Sequence, residues 1–519
     1  MSDRLTIPVS PAIAATSSRP VGRRGIALPV VAACGAFLLL YARSLVGPVV
    51  VYDDFQILTQ SWTWERTRDA IWVPQNEHAM PLGRLLCFAL ECLAGRLPML
   101  PFVTCLVGPL SLLLGMWLVY VFVRREMGHP FYALLVLVLF GVTTVYHQAV
   151  WWFAASFAIL ALDTMLLGLL AAQRWRQTGR GIYLDLTVLA CLLAPGWFAI
   201  GVLAGPLCCL YLMQNASPMQ NAECRMQNKR QGISSILHSA FCILHSRLSF
   251  LPLLGTALFL AVSLPRTAET IMHLDHYGEQ TAVEAFRPLI GLEYTLRSLV
   301  DNLLLGVVGV TSVALPVWCV AVVLFGVMVW GVWWWRQAPD RRLMLLGLGL
   351  IGSSYLLVYS ARSSWSYFQM TEPNFSRYHL LPHLGLVLFF CGGLPGRAGR
   401  WFTLSEDGFL SERQRRLVYV LIGVCFLVQL PRGLICGSPT GWYQVELVRD
   451  QQTVLRRIEE VDALCREHHI SAAAARQALG RLDIPCSYNV IDGWEFLRGS
   501  DNPRPRSPEE IKHLLEGTP

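Results

Sequence analysis

Charged residues are scarce in this chain of 519 residues. They make up 15% of it, whereas hydrophobic residues make up 54%. Soluble domains carry about 25% charged residues, so this sequence lacks the polar side chains that would cover a soluble fold of its length. Uncharged apolar runs of about 18 residues recur along it, which is typical of helices that cross a membrane. A soluble enzyme, a disordered chain and a disulfide-stapled small domain are therefore excluded.

Lysine is almost absent as well, since only Lys229 and Lys512 occur among the 42 basic residues. The arginines lie mainly between apolar runs, and no basic block alternates with aromatic residues. The formal charge of +7 therefore indicates membrane topology and no nucleic-acid partner. The 15 cysteines form no CxxC pair and lie mostly in apolar runs, where they act as small hydrophobic residues.

Apolar runs and arginine clusters together predict an all-α polytopic membrane protein with about eleven spans. The predicted spans are 26–46, 99–122, 130–147, 152–172, 182–194, 197–213, 249–265, 314–335, 343–361, 380–395 and 416–432. This arrangement places four arginine clusters in the cytoplasm, at 124–125, 174–180, 336–342 and 397–416. We expect residues 1–25 to be a cytoplasmic N-terminal segment and 26–432 to be the transmembrane domain.

Three polar regions interrupt or follow the spans. Residues 47–97 are predicted to be an external loop with interfacial helices, one of them at 82–95. Residues 295–312 are left open between a span, a re-entrant segment and an interfacial helix. The polar tail 433–519 is predicted to lie outside and to contain an amphipathic helix.

Residues 213–247 can be encoded by DNA that contains an inverted repeat. Asn221–Asn228 can be encoded by a DNA string whose reverse complement encodes Ile236–Ile243. The segment is therefore predicted to be an inverted-repeat element read through in frame, in a cytoplasmic loop where an insertion costs little. A metal site is the alternative, but the repeat already explains its four ligands, which would be Cys224, His238, Cys242 and His245.

The first candidate site is the acidic pair Asp53 and Asp54, directly after the first predicted span. One carboxylate could act as a general base on an acceptor hydroxyl, with its pKa raised by its neighbour. The pair could instead bind a divalent cation through oxygen ligands. A solvated turn that ends the helix is the structural alternative.

The second candidate site is the external loop 362–379, which carries cationic and aromatic residues. Two arginines and a histidine suit a phosphate or diphosphate, because arginine pairs with phosphate oxygens through two donors. An aromatic belt with snorkelling arginines is the alternative. The candidate binding residues in this loop are Arg362, Glu372, Arg377, Tyr378 and His379.

Four weaker signals lie elsewhere. His78 could contact phosphate or act as an acid, or it could be an idle histidine at the interface. The aromatic residues of 146–152 could stack on a sugar, although a plain aromatic belt is favoured. The HxDH segment beginning at His273 is a weak metal motif, and Asp163 is an acid within a predicted span.

Three short motifs, in this order, resemble the GT-C superfamily of membrane glycosyltransferases. This class includes the dolichyl-phosphate-mannose–protein mannosyltransferases and the bacterial aminoarabinose transferases. The motifs are the acidic pair Asp53-Asp54, the element His78-x-x-Pro81-Leu82 and the element Arg377-Tyr378-x-x-x-Pro382. With the predicted spans, the resemblance covers residues 26–432.

The resemblance implies a GT-C-like fold and transfer of a sugar from a polyprenyl-phosphate donor on the non-cytoplasmic face. It also implies that Asp53 or Asp54 is the base, with Asp54 slightly favoured. Arg377 would be the main phosphate contact, with Arg362 and His379 next and His78 as a further contact. We expect the protein in a bacterial inner membrane, with its site facing the periplasm.

The resemblance leaves metal dependence open. Many relatives have a second acid in the loop before the fourth span, and residues 146–152 contain none. Glu372 could substitute for it, and Mg²⁺ or Mn²⁺ is the cation expected if one is required. Two other functions compete with the transferase, namely a transporter or flippase and an inactive scaffold of the same fold. The sequence identifies neither the sugar nor the glycan, lipid or protein acceptor.

Overall fold

A computed structural model of the chain describes residues 24–46, 53–61, 63–75, 78–94, 99–214, 248–273, 287–310, 315–338, 341–362, 373–394, 410–436 and 467. Nearly all of these residues are helical and none lies in a strand, which confirms the all-α expectation. Most of the predicted N-terminal segment, insertion and tail lies outside the described residues.

Nine α-helices lie between Arg24 and Thr178 within the described ranges. They are α1 (Arg24–Leu40), α2 (Ala42–Val46), α3 (Asp53–Gln60), α4 (Trp64–Ala70), α5 (Pro81–Ala94), α6 (Met99–Met127), α7 (Pro130–Gly141), α8 (His147–Trp151) and α9 (Phe153–Thr178). The following α-helices are α10 (Gly181–Trp197), α11 (Ala204–Met213), α12 (Leu251–His273), α13 (Pro288–Arg297), α14 (Leu305–Val307), α15 (Val317–Gln337), α16 (Arg342–Arg362), α17 (Leu380–Gly393) and α18 (Glu412–Cys436). The described residues also include two 3₁₀ helices, at Ala199–Leu203 and Pro373–His379, and one π-helix, at Ser298–Leu304.

The helices coincide with the apolar runs, and six of them are long and apolar enough to cross a membrane. The six are α6, α9, α12, α15, α16 and α18. A helix needs about 20 residues to cross the roughly 30 Å of hydrocarbon in a bilayer. Four shorter apolar helical stretches accompany them, which supports a multi-pass membrane protein. The number of eleven spans stays a prediction.

Close helix packing in the interior depends on small residues. Gly347 on α16 faces Gly385 on α17, and a Cβ at Gly385 would lie 2.5 Å from the Gly347 carbonyl oxygen. The two backbones can approach this closely only because both positions lack a side chain. By contrast, the tryptophan-rich helix α15 leaves most of its apolar surface uncovered by the described chain, as a lipid-facing helix would.

A buried carboxylate joins four helices at one end of the bundle. Glu126 on α6 accepts hydrogen bonds from the Gln173 amide at 2.8 Å and from the Tyr211 hydroxyl at 2.6 Å. Arg176 and Arg342 each place a nitrogen 3.7 Å from its other oxygen. This is the end of α6, α9 and α16 that carries the predicted cytoplasmic arginines.

The segment 288–310 packs against the opposite ends of α16 and α18. Tyr294 contacts Tyr355, and the Gln429 amide donates to the carbonyl oxygens of Gly306 and Val307 at 2.9 and 3.0 Å. Its described contacts thus all lie at one end of these helices. Whether residues 295–312 form a span, a re-entrant segment or an interfacial helix stays a prediction.

Candidate functional site

The candidate site is built around the N-terminus of α9. Trp152 takes an extended conformation (φ −93°, ψ 118°), which separates α8 from α9. The first N–H groups of α9 therefore have no carbonyl partner within the helix. Every side chain from Tyr146 to Trp152 is buried in protein. The expectation of an aromatic belt is wrong for this segment, because its neighbours in the fold cover it.

Asp54 satisfies one of these N–H groups. Its carboxylate is 1% exposed, and Oδ1 accepts a hydrogen bond from the Ala154 N–H at 2.8 Å. The positive end of the α9 dipole also favours a negative charge at this position. Asp54 is therefore held inside the protein, and the alternative of a solvated turn does not apply to it. Asp53 is the first residue of α3, but its side chain lies outside the described part.

Arg377 reaches the same segment from the 3₁₀ turn Pro373–His379. Its guanidinium carbon lies 4.8 Å from the centre of the Trp152 ring and 4.6 Å from that of Tyr378. Nη1 donates to the Gln148 Oε1 at 3.3 Å, and Nη2 donates to the Tyr378 hydroxyl at 3.2 Å. A planar guanidinium can stack and donate in this way, which an ammonium group cannot do.

A further hydrogen bond ties this turn to α8, where the Gln148 N–H donates to Ser376 Oγ at 3.0 Å. Asp54 and Arg377 thus contact residues only two positions apart, Ala154 and Trp152. Consecutive Cα atoms are about 3.8 Å apart, so the two contacted positions are separated by roughly 7 Å. The structure brings Asp54 and Arg377 to the same end of the bundle.

Arg84 on α5 is a second guanidinium, in the predicted external loop. Its side chain is 0% exposed, and Nη2 donates to the Val73 carbonyl oxygen at 3.2 Å. Nε and Nη1 have no hydrogen-bond partner among the described residues. Burial lowers the pKa of Arg84 to about 10, so the group still carries its charge at neutral pH.

The buried thiol of Cys87 on α5 is influenced by the charges of several neighbouring groups. Burial raises its pKa, and the charges of Glu91 and Asp54 raise it further, whereas Arg84 acts in the opposite direction. Asp54, Glu91 and Arg84 therefore all act electrostatically on the Cys87 thiol.

The pKa of each of two histidines of the site lies below its ordinary value. Burial lowers the pKa of His379 to about 3, with further contributions from the charges of Arg432 and His383. His379 Nδ1 shares a hydrogen bond with the Tyr355 hydroxyl at 2.9 Å. Burial also lowers the pKa of His147, with Arg432 again contributing. His379 can therefore hydrogen-bond a phosphate but cannot supply the positive charge that the sequence suggested.

His78 lies at the entrance to α5. It pairs with Gln75 through two backbone hydrogen bonds of 2.8 and 2.9 Å, and its ring centre lies 4.2 Å from that of Phe198. The side chain is buried, so this histidine is not an idle one at a membrane surface. Its role toward a ligand stays a prediction.

Several predicted residues are not tested by these contacts. Arg362 ends α16, but its side chain is not described, and Glu372 lies outside the described residues. Asp163 is buried in α9, and its oxygens have no hydrogen-bond partner among the described residues. A Cβ at Gly115 would lie 2.7 Å from one of them.

A metal centre does not fit the side chains that the structure describes. They contain no group of three or more His, Cys, Asp and Glu residues placed to hold an ion. Asp54 uses one oxygen on a backbone N–H group, and residues 146–152 add no carboxylate. The HxDH motif lies outside the described side chains, so it remains a sequence hypothesis.

Three buried residues of this region carry little signal in the sequence. In the sequence, Gln148 is one polar residue within the aromatic segment 146–152. Arg84 indicates only that the apolar segment 82–95 lies at the interface and does not cross the membrane. Arg432 looked like the end of a span, yet it is buried and lies close enough to His147 and His379 to lower the pKa of each. A lone arginine in an apolar run is the one signal that could have identified Arg84 and Arg432.

Comparisons of this chain with protein-family models, with curated proteins and with solved structures found no match.

Proposed function

We propose that this protein is a membrane glycosyltransferase that moves a sugar from a polyprenyl-phosphate donor to an acceptor hydroxyl on the non-cytoplasmic face. The proposal rests on two contacts at the start of α9. Asp54 accepts a hydrogen bond from the Ala154 N–H, and the Arg377 guanidinium stacks on the Trp152 ring. Such a transferase needs a base beside the acceptor and cations beside the phosphate leaving group. Both kinds of group lie here at one end of the bundle.

The proposed reaction is a displacement at the anomeric carbon. The acceptor oxygen forms a bond to this carbon while the bond to the phosphate oxygen breaks, and that oxygen keeps the electron pair. The acceptor proton passes to a carboxylate of the pair Asp53 and Asp54. Arg377 and the free donors of Arg84 stabilise the negative charge on the departing phosphate. No step of this proposal requires a metal ion.

The test is sugar transfer from polyprenyl-phosphate donors in membranes that contain the protein. The acidic pair is replaced together, Asp53→Asn with Asp54→Asn, and Arg377→Ala is made separately. Both variants should lose at least about 100-fold in kcat/KM, because each removes a whole class of transition-state contact.

Arg68 and Asp69 provide matched controls in the same external region. They pair with each other at 3.1 Å, and their side chains are 64% and 68% exposed. Arg68→Ala and Asp69→Asn should leave transfer unchanged. Robust transfer by both site variants would show that the site is assigned to the wrong residues.

A transporter is the second candidate, and Asp163 is the observation that favours it. A buried carboxyl within an apolar helix is expensive and is a common feature of proton-coupled carriers. Asp163→Asn would then abolish proton-coupled flux in reconstituted vesicles, whereas a transferase would keep its activity. Flux that depends on Asp163, together with absent sugar transfer, would favour the transporter.

A further inference from the structure

The Asp54 carboxylate is buried and hydrogen-bonded to the backbone, whereas a general base must be accessible to its substrate. Its Oδ1 is committed to the Ala154 N–H at 2.8 Å, in a setting that is 1% exposed. An acceptor substrate must reach a base from solvent, whereas this oxygen points into the start of a helix. The contact has the geometry of a helix cap, in which an oxygen from outside the helix accepts a first-turn N–H.

The capped turn is also the platform for Arg377. Trp152 is the residue immediately before α9, and its ring lies beneath the Arg377 guanidinium at 4.8 Å. The position of Trp152 depends on where the first turn of α9 begins, and the Asp54 cap fixes that turn. Gln148, one turn earlier, holds the guanidinium from the side.

We infer that Asp54 is a positioning residue, which acts through Ala154 and Trp152 to orient Arg377 toward the phosphate of the lipid donor. This inference rests on the proposed function. Within the acidic pair, it assigns Asp54 to the binding of the donor rather than to proton transfer.

The inference predicts different behaviour for two substitutions of one side chain. Asparagine keeps an oxygen at the Oδ1 position and is a good capping residue, so Asp54→Asn should preserve the contact with Ala154. Alanine removes the acceptor and leaves the Ala154 N–H buried without a partner. A group that acted only by its negative charge would fail equally in both variants.

The experiment measures binding of a polyprenyl monophosphate to the full-length protein in lipid nanodiscs, by competition with a radiolabelled copy of the same lipid. Hydrogen–deuterium exchange of the peptide that contains Ala154 is recorded in parallel. Asp54→Ala should weaken binding by about tenfold and speed exchange of that amide. Asp54→Asn should restore binding to within about twofold of the wild type, and the exposed control Asp69→Asn should match the wild type.

A second variant covers the case in which Asp54→Ala does not fold. Asp54→Gln keeps a polar amide but moves its oxygen one methylene away from the Ala154 N–H. It should therefore weaken binding as the alanine variant does, and it should speed the exchange of the same amide.

Transfer kinetics separate positioning from catalysis. Loss of the cap should raise KM for the donor more than it lowers kcat, whereas Asp53→Asn should lower kcat. The inference alone fails if Asp54→Ala and Asp54→Gln bind the lipid like the wild type, or if Asp54→Asn is as weak as they are. If the wild type itself does not bind polyprenyl monophosphate saturably, the proposed function fails and the inference with it.

Discussion

The stacking of Arg377 on Trp152 supports a quantitative prediction. A partly buried cation–π contact is worth about 1–2 kcal/mol, and a hydrogen bond from a charged donor is worth about 1.5–3 kcal/mol. Arg377 makes two contacts of the first kind, with Trp152 and Tyr378, and it donates hydrogen bonds to Gln148 and to the Tyr378 hydroxyl. Arg377→Lys loses the stacked geometry while keeping the charge.

We therefore expect Arg377→Lys to weaken binding of polyprenyl monophosphate by about 10- to 100-fold, from roughly 1.4–2.8 kcal/mol of lost orientation. Trp152→Leu should weaken it by about 5- to 10-fold. The double variant should resemble Arg377→Lys, because a lysine gains little from the ring below it. The coupling energy of this double-mutant cycle should therefore be about 1 kcal/mol or more.

The measurement is the dissociation constant in nanodiscs for the wild type, the two single variants and the double variant. Arg68→Lys is the matched control, since Arg68 is exposed and pairs with its neighbour Asp69. Free-energy changes that add to within about 0.5 kcal/mol would refute the stacking argument. They would mean that Trp152 contributes to binding independently of Arg377.

Three further predictions concern stability and the insertion. Gly108→Ala should destabilise the fold by about 1–3 kcal/mol, because the new Cβ would overlap the Val150 carbonyl; Gly326→Ala, with nothing within 4 Å, should leave the melting temperature unchanged. The pKa of His379 is about 3 when folded, below the ordinary 6.5, so its stability contribution is complete above about pH 6.5 and is lost as the pH falls toward 3. By pH 5 the free energy of unfolding should have decreased by about 2 kcal/mol through this group. Over this pH range the melting temperature of His379→Asn should therefore fall less steeply than that of the wild type. Deletion of 214–246 should leave lipid binding within about twofold of the wild type, and complete loss at normal expression would argue against a read-through origin.

Much of the fold followed from composition and periodicity. Long uncharged runs must form helices in a bilayer, because only a helix satisfies its backbone polar groups within one segment. The helix Pro81–Ala94 was also expected outside the spans, since Arg84 and Glu91 interrupt its apolar run. What the runs could not predict were the partners of residues 288–310, because contacts between distant segments depend on the tertiary fold. Tyr355 and Gln429 supply these contacts through hydrogen bonds to backbone carbonyl groups.

The candidate site was only partly predictable. Adjacent carboxylates, and arginines within a predicted external loop, can be recognised from residue type alone. The sequence therefore predicts Asp54 and Arg377 as candidate site residues. Gln148 was not found, because an amide has no preferred function until a partner is placed beside it. The neutral state of His379 was not predictable either, since the pKa of a histidine depends on burial and on neighbouring charge.

The sequence by itself determined that this protein is helical and apolar, and it marked which residues carry charge beyond the predicted spans. Those properties depend on the chemistry of each segment and on its length relative to the membrane. Only the tertiary structure decided that Asp54 caps the helix whose preceding residue supports Arg377. Such a contact joins residues far apart in the chain, and no local pattern encodes the distance between them.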